Sequence, residues 1–228
     1  VGADGQSERI REALLKEPID ARLLSLPNCD TDLSIVLADK NGGNSIITTV
    51  DCAQALTFEH ISPSLQDANL GDYLILQCNL AFETTNDLFD EAKRRGLVTV
   101  FNPSPVNLAF KPLLGRAHTV FLNGREAEQL TGCSGKDAVK AVLNEGADCV
   151  VLTLGPLGAL IGRGSSIDAV PAETTIVADA TGAGDTYQSV AIASAMRRED
   201  KINTSDLTCA AAAAALTVSR FGTISAFP

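Results

Sequence analysis

Residues 73–101 read YLILQCNLAFETTNDLFDEAKRRGLVTVF, and this stretch predicts a strand, a helix and a second strand in succession. The run YLILQ is almost wholly apolar, as is typical of a strand buried on both faces. Residues 84–96 have a helical pattern and end at Gly96, a residue type that commonly terminates helices. The run LVTVF at residues 97–101 is the second strand. A strand–helix–strand unit favours a parallel sheet.

The same alternation continues toward the C-terminus. The sequence predicts further strands at residues 119–122 and 149–153, and helices at 125–131, 136–144, within 181–196 and at 205–220. This order predicts an α/β fold whose mostly parallel central sheet is covered by helices on both faces. Ligands bind such sheets outside the carboxyl ends of the strands. Binding residues are therefore expected in the loops after Gln77, Phe101, Leu122 and Thr153.

The N-terminal part has a different pattern. Residues 7–16 predict a helix, with Ile10, Ala13 and Leu14 on one face. The alternating runs at 33–38 and 45–50 flank DKNGG, which predicts an antiparallel hairpin with its turn at residues 39–43. We therefore divide the chain into a body of residues 1–29 and 53–228 and a partial β-hairpin lid of residues 30–52.

Composition excludes several classes of function. The 228 residues carry a net charge of −10, which argues against nucleic acid as a partner. No apolar run reaches the roughly 18 residues that a membrane span needs, and no signal-peptide pattern opens the chain. The six cysteines lack CxxC spacing and lie in apolar runs, so we expect buried thiols rather than zinc or disulfides, and a reducing, cytoplasmic setting. The alanine-rich run at 209–218 predicts a helix packed in the interior.

Residues 179–185 read DATGAGD and carry the most chemical information. Small residues before an apolar helix let the backbone approach a ligand, and the free N–H groups at a helix start suit a phosphoryl group. Asp185 would repel a phosphate unless it accepts a proton from an attacking hydroxyl. The alternative is that Asp185 caps the helix and that Gly182, Ala183 and Gly184 form a tight turn.

The segment DATGAGDTY closely resembles the signature D-T-x-G-A-G-D-x-F of the ribokinase-like (PfkB) carbohydrate kinases. Other segments match the family in order: VGAD at residues 1–4 resembles V-G-x-D, NPSP at 102–105 resembles NPAP, NGRE at 123–126 resembles N-x-x-E, TLGPLG at 153–158 resembles T-x-G-x-x-G, and residues 210–222 resemble the C-terminal helix and its turn. In the family the V-G-x-D motif lies well inside the protein, so we expect this chain to be truncated at its N-terminus.

The resemblance implies a three-layer α/β/α sandwich with a small β lid, and a set of catalytic roles. Asp185 resembles the base that removes the proton of the acceptor hydroxyl. The N–H groups of Gly182, Ala183 and Gly184 would stabilise charge on the transferring phosphoryl group. Asn123 and Glu126 would arrange Mg²⁺ near the phosphates of ATP. From the residues alone, Asn123 and Glu126 also fit a helix-capping box.

The resemblance also implies binding roles. Thr153, Gly155 and Gly158 would line the nucleotide, although the segment alone also fits a strand-to-strand turn. A monovalent cation such as K⁺ would bind near Asp179, Thr181, Thr217, Arg220 and Gly222. Asp179 alone also fits a turn residue. Ala226 stands where the family often has a cation-binding serine, and Gly124 where a glutamate is usual.

The predicted reaction converts ATP and an alcohol to ADP and a phosphate ester, with a sugar as acceptor. Asn79 stands where ribokinases carry a sugar-contacting glutamate, and its amide is the predicted substrate contact together with Asp185. The family often pairs through its lid, so we expect a homodimer. Ribose is the leading acceptor, because of NPSP and the C-terminal helix, and fructose, ketodeoxygluconate and nucleosides stay open as alternatives. A catalytically inactive nucleotide or metabolite binder of the same fold stays open as well. A dehydrogenase is disfavoured, since no G-x-G-x-x-G follows an early strand.

Overall fold

The computed structural model describes residues 1–38 and 44–228 of the chain. The described strands form a two-stranded sheet, β1–β2, and a six-stranded sheet in the order β3-β4-β5-β6-β7-β8. The strands are β1 Ser34–Ala38, β2 Asn44–Thr48, β3 Tyr73–Gln77, β4 Val98–Asn102, β5 Thr119–Asn123, β6 Cys149–Thr153, β7 Ala159–Arg163 and β8 Ser166–Val170. The helices are α1 Gly5–Leu14, α2 Asp51–Gln54, α3 Phe58–Ile61, α4 Phe82–Arg95, α5 Gly124–Thr131, α6 Gly135–Asn144, α7 Ala183–Arg198 and α8 Thr204–Val218.

The larger sheet combines parallel strands with an antiparallel extension. β4, β5 and β6 pair in parallel, whereas β7 and β8 add as an antiparallel hairpin. Val120, Phe121, Val150 and Val151 are all at most 3% exposed, although neighbouring side chains in a strand point to opposite faces. Both faces of the sheet are therefore covered, as the predicted three-layer α/β/α sandwich requires.

The chain divides into two compact units, the first containing Val1–Leu37 and Ser45–Thr99 and the second containing Val100–Pro228. In the first unit, Asp4 caps α1 by accepting from the N–H groups of Gln6 and Ser7 at 3.0 Å each. The hydroxyls of Ser34 and Thr48 lie 2.9 Å apart across β1 and β2, and Leu33 pairs with Thr49. This register is antiparallel, as predicted. The predicted turn at residues 39–43 lies outside the described residues.

In the second unit, helices pack on the strands and on each other. α5 and α6 contact β5, β6 and β7, and α7 packs along α8, which also contacts β8. A Cβ atom on Gly162 would lie 2.3 Å from Cγ1 of Val139, so the absence of a side chain lets α6 lie close against β7. The chain turns back after α4 at Gly96, whose φ of 67° confirms the predicted helix end.

Most predicted helices and strands are confirmed within one to three residues, and Ile10, Ala13 and Leu14 are half-buried on the predicted face of α1. The hairpin β7–β8 was missed, and two expectations were wrong. α8 is not an interior helix, because Cys209 and Leu216 are exposed on it. The thiols are not all buried, since Cys29 and Cys133 are half-buried. Among the described residues, no helix has both the length and the apolar character to cross a membrane.

Candidate active site

The start of α7 provides backbone donors at the position that the sequence predicted. Gly182 is the N-cap of α7 and has a φ of 81°. A residue with a side chain would adopt this φ only with strain. The N–H of Ala183 donates to the carbonyl of Ala180 at 3.3 Å, and that of Thr186 donates to Gly182 at 2.9 Å. Across the described ranges, the N–H groups of Gly182 and Gly184 donate to no protein acceptor. Two donors at a helix N-terminus are thus available to an anion.

The Asp185 carboxylate lies in the first turn of α7 and does not cap the helix. The capping alternative for this residue is therefore wrong. Asp185 is exposed, and its carboxylate accepts no hydrogen bond from any described residue. Partial desolvation by the surrounding protein raises its pKa. A carboxylate without a protein partner, beside free helix N–H groups, is available to accept a proton from a ligand.

Glu126 and Asn123 form a capping box at the start of α5. The Asn123 N–H donates to Oε2 of Glu126 at 2.8 Å, and the Glu126 N–H donates to Oδ1 of Asn123 at 2.9 Å. Desolvation is the largest influence on Glu126 and raises its pKa, and the charge of Asp185 raises it further. Hydrogen bonds from Asn123 and from the Ser104 hydroxyl act in the opposite direction. The two carboxylates, from separate helices, therefore lie near enough to repel each other.

This pair of carboxylates fits a Mg²⁺ ion bound mainly through phosphates and water. Mg²⁺ prefers oxygen ligands, and in nucleotide sites it usually takes only one or two from carboxylates. In residues 1–38 and 44–228, no three His, Cys, Asp or Glu side chains gather into a protein-only metal site. The mutual repulsion of Glu126 and Asp185 would be relieved by a cation between them and the phosphates.

A recess of about 590 Å³ runs from the start of α7 to the β6–β7 connection. Ala183 and Gly184 border one part of it, and Thr153, Gly155 and Gly158 border another. The remaining wall is mostly apolar and comes from α8 and the segment after β8: Ala172, Glu173, Thr174, Thr175, Val177, Ala211, Ala214, Ala215 and Val218. The predicted nucleotide residues and the predicted anion donors therefore share one recess.

The segment from Thr153 to Gly158 is also the turn between two strands, so both interpretations apply to it. The Leu154 N–H donates to the Gly158 carbonyl at 2.8 Å, and the Gly158 N–H donates to Gly155 at 3.0 Å. Gly158 has a φ of 89°, and a Cβ atom there would lie 2.1 Å from the Val170 carbonyl oxygen. Glycine is therefore required where this turn meets the end of β8.

The predicted monovalent-cation residues lie around the C-terminal end of α8. Oδ1 of Asp179 accepts from the Thr181 N–H at 2.9 Å, and Oδ2 accepts from the Gly222 N–H at 3.2 Å. These bonds lower the Asp179 pKa. They also hold the turn, so the alternative interpretation of Asp179 as a turn residue applies too. Thr217 is buried against Thr186, and the Arg220 guanidinium donates to the Ala226 carbonyl at 3.4 Å. The cation role of these five residues stays a prediction.

Asn79 belongs to the first unit and follows β3. Its Nδ2 donates to Oε1 of Gln77 at 3.3 Å. The structure therefore places it at the carboxyl end of a strand, where the sequence predicted a binding residue, and its contact with a sugar stays a prediction.

Sequence reasoning missed several residues of the recess. Tyr187 borders it, is 7% exposed, and has the one buried side-chain polar atom in the described chain without a hydrogen-bond partner, its hydroxyl oxygen. The small residues of α8 were visible in the sequence at spacings of three and four, which place them on one helix face. Ser104 lies in the NPSP segment that the sequence singled out, but its hydrogen bond to Glu126 was not predicted, because that contact joins segments distant in sequence.

Comparison with known proteins identifies the family and the fold of the chain. The model of the "pfkB family carbohydrate kinase" matches residues 1–228. A ribokinase of Haemophilus influenzae is 26% identical over 235 residues, which cover 100% of this chain and 76% of that protein. The structure of ribokinase from Giardia lamblia superposes with a TM-score of 0.88 at 20% identity, covering 100% of this chain and 78% of that one. Arabidopsis thaliana ribokinase complexed with ribose and ATP gives a TM-score of 0.81 at 24% identity, covering 100% and 77%. The chain belongs to the pfkB family of carbohydrate kinases.

Proposed function

We propose that this protein transfers the γ-phosphoryl group of ATP to a hydroxymethyl group of a sugar. One observation carries the proposal: the Asp185 carboxylate has no protein partner among the described residues and follows Gly184, which borders the recess. A site that must both remove a proton and stabilise phosphoryl charge needs a base beside anion donors. The membership of the family and the relatives named as ribokinases support a sugar as acceptor.

The apolar recess suits the base of a nucleotide. Alanines and Val218 of α8 form an apolar part of its wall, and the start of α7 lies at its border. A nucleotide with its base in this recess would direct its phosphates toward the free N–H groups of Gly182 and Gly184. The Arabidopsis thaliana ribokinase, whose structure is complexed with ribose and ATP, supports a nucleoside triphosphate as the donor.

Each polar residue then has one task in the reaction. Asp185 removes the proton of the acceptor hydroxyl as the phosphoryl group transfers. The N–H groups at the start of α7 stabilise the charge on the phosphoryl oxygens. Glu126, supported by Asn123, would hold Mg²⁺ through its waters, and the ion would neutralise phosphate charge. Asp179 and Thr181 would hold K⁺ near the turn, and Asn79 would contact the sugar.

The homodimer through the lid remains a proposal as well. On β1 and β2, the large side chains of Ile35, Val36, Leu37 and Ile47 are exposed in the single chain. An apolar hairpin exposed in this way favours association with a second copy.

The test compares Asp185→Asn with the unchanged chain. We expect the variant to lose about 10²- to 10⁴-fold in kcat for ADP release, while its affinity for ATP changes little. The assay uses a panel of pentoses, hexoses and nucleosides, which also separates a sugar kinase from a nucleoside kinase.

Asp137→Asn is the matched control, because Asp137 is also a first-turn carboxylate but lies on α6, outside the recess. Unchanged turnover in Asp185→Asn would refute the base assignment. If the full-length protein binds ATP and releases no ADP with any acceptor, it is the inactive nucleotide binder instead.

A further inference from the structure

The segment after α8 is tied by hydrogen bonds to the loop that leads into α7. The N–H groups of Ala178 and Asp179 donate to the Val218 carbonyl, at 2.7 and 3.2 Å. The Asp179 carboxylate then joins the two stretches of chain, because it accepts from the Thr181 N–H at 2.9 Å and from the Gly222 N–H at 3.2 Å. The loop before α7 is therefore attached to the segment that begins at Gly222.

That segment is closed into a turn that determines where Phe227 lies. The N–H groups of Ala226 and Phe227 both donate to the Thr223 carbonyl, at 2.9 and 3.3 Å. The Arg220 guanidinium donates to the Ala226 carbonyl at 3.4 Å, and Ala226 is fully buried. The backbone on the N-terminal side of Phe227 is thus held on both sides of the turn, although Phe227 itself is 43% exposed.

The Phe227 ring packs against Gly182, the N-cap of α7. A Cβ atom on Gly182 would lie 2.9 Å from Cε1 and 3.5 Å from Cζ of the ring, and 3.9 Å from Cγ2 of Thr217. The ring and this methyl group therefore occupy the space that a side chain on Gly182 would take. A glycine has few conformational restrictions of its own, so contacts with its neighbours have to limit its movement.

The contact lies beside the two backbone donors that the proposed reaction uses. The N–H groups of Gly182 and Gly184 donate to no acceptor in the described protein, so no internal hydrogen bond fixes their direction. Donors of this kind stabilise a phosphoryl group only when they lie at hydrogen-bond distance from its oxygens. A displacement of about 1 Å can lower the rate about 100-fold. Packing against Gly182 is therefore a means of holding the donors in place.

We propose that Phe227 is a positioning residue for phosphoryl transfer, whose ring packs against Gly182 and keeps the N–H donors at the start of α7 directed toward the transferring phosphoryl group. This inference rests on the proposed kinase function. Phe227 acts through Gly182 and needs no contact of its own with ATP or with the acceptor.

A double-mutant cycle of stability tests the contact. Gly182→Ala places a Cβ atom against the ring at a positive φ, so we expect its Tm to fall. Phe227→Ala removes the ring, so the double variant should melt above Gly182→Ala, although the backbone strain remains. A double variant that melts at or below Gly182→Ala would refute the contact. If neither chain with Gly182→Ala folds, the kinetics of Phe227→Ala decide the question.

Kinetics of the full-length protein test the positioning role. We expect Phe227→Ala to lower kcat for ADP release about 10- to 100-fold, because the donors lose their alignment. The KM of the acceptor should change less than about twofold, since the ring does not hold the acceptor. The affinity for a non-hydrolysable ATP analogue, measured by calorimetry, should fall several-fold, whereas the affinity for ADP should stay the same. A merely structural role of Phe227 would not separate the two nucleotides.

Two further variants are the controls. Phe227→Met keeps a long apolar side chain that can reach Gly182, so its kcat should recover to within about threefold of the unchanged protein. Phe221→Ala removes another ring from the same part of the chain, but Phe221 is 79% exposed and is not among the nearest neighbours of Gly182. It should keep the unchanged kcat. An unchanged kcat in Phe227→Ala, or equal losses in Phe227→Ala and Phe221→Ala, would overturn the proposal.

The nucleotide affinities separate this proposal from the proposed function. If the full-length protein releases no ADP with any acceptor, the kinase function fails. Binding of the ATP analogue then still decides the role of Phe227. Weaker binding of the analogue by Phe227→Ala, with ADP binding unchanged, would support the positioning of the donors, and equal affinities for the analogue would contradict it.

Discussion

The hydroxyls of Thr186 and Thr217 lie 2.9 Å apart in the interior and join α7 to α8. α7 carries Asp185, and α8 supplies the small side chains of the recess. Oγ1 of Thr217 is also 3.3 Å from the Ala213 carbonyl, so it can donate there and accept from Thr186. This bond connects the helix of the predicted base to the wall of the predicted nucleotide site.

The direction of that hydrogen bond predicts unequal effects of the two threonines. Thr217→Val should lower the free energy of unfolding by about 1–3 kcal/mol, because it leaves the buried Thr186 hydroxyl without an acceptor. Thr186→Val should lower the free energy of unfolding by a smaller amount, since the Thr217 hydroxyl keeps its hydrogen bond to the Ala213 carbonyl. The double variant should cost less than the sum of the single ones. Urea unfolding measures all three, with the exposed Thr208→Val on α8 as the control. Additive effects would show that the two hydroxyls do not interact.

The burial of the Tyr187 hydroxyl predicts that Tyr187→Phe stabilises the protein. The oxygen is buried with no partner in the described structure, and burial raises the Tyr187 pKa to about 12. An unsatisfied buried hydroxyl costs about 1–3 kcal/mol, so Tyr187→Phe should raise the free energy of unfolding of the ligand-free protein by an amount of that order. Phenylalanine is also the residue that the resembled signature has here. Chemical denaturation without nucleotide measures the change. A loss of stability would mean that water or another group satisfies the hydroxyl.

Two glycines in the β6–β7 connection should respond differently to alanine. Both have positive φ, but a Cβ atom meets nothing within 4 Å at Gly155, whereas at Gly158 it would lie 2.1 Å from the Val170 oxygen. Gly155→Ala should therefore cost only the backbone strain, about 1 kcal/mol. Gly158→Ala should cost on the order of 3 kcal/mol or more, because the collision with backbone adds to the strain. The comparison of their urea midpoints measures both costs, and equal midpoints would exclude the collision.

The surroundings of Asp206 predict how the stability of the protein changes in acid. Its carboxylate is fully buried, and it accepts from Arg198 at 2.7 Å and from the Ser194 hydroxyl at 2.6 Å. Desolvation raises its pKa, but these bonds and that from the Asn203 N–H outweigh desolvation and lower the pKa below the ordinary 3.8. A carboxylate with a depressed pKa stabilises the fold above its unfolded pKa, and this stability is lost as the pH falls through the folded value.

We therefore expect the Tm to fall below about pH 4, and we expect this fall to be smaller in Asp206→Asn. At neutral pH the same variant should be destabilised by about 1–3 kcal/mol, because it weakens the charge-assisted hydrogen bonds between a buried carboxylate and a partly exposed arginine. Thermal melts from pH 7 to pH 2 measure both effects. Asp200→Asn is the control, since Asp200 pairs with the same arginine but is exposed. A variant that keeps the steep acid dependence would show that other carboxylates cause it.

The parts of the fold that the sequence predicted best are those with strong local signals. The bounds of β3 and β6 agree with the predicted runs, because uninterrupted apolar residues are typical of strands buried on both faces. β7 and β8 were missed, because ALIGR and SIDAV are short and mix small, polar and apolar residues. The solvent-facing side of α8 could not be predicted either, since alanines occur on every face of that helix.

The candidate site was predictable where a contiguous motif forms it. Asp185 and the glycines before it lie together in the sequence, and the structure keeps them together at one helix start. Contacts between distant segments gave no such signal. The bond from Ser104 to Glu126 and the packing of Tyr187 at the recess depend on the folded chain. The pairing of Arg198 with the buried Asp206 likewise joins α7 to α8 through two charged side chains, which composition alone would have placed in solvent.

The capping box at Asn123 and Glu126 gives one pair of side chains two duties. Their reciprocal bonds begin α5, and the same carboxylate faces the charge of Asp185. Any residue that replaced Glu126 would have to begin the helix and also serve the cation that we propose at this site. Few residue types could therefore replace Glu126. A chain that had lost catalysis would still need this residue to begin α5.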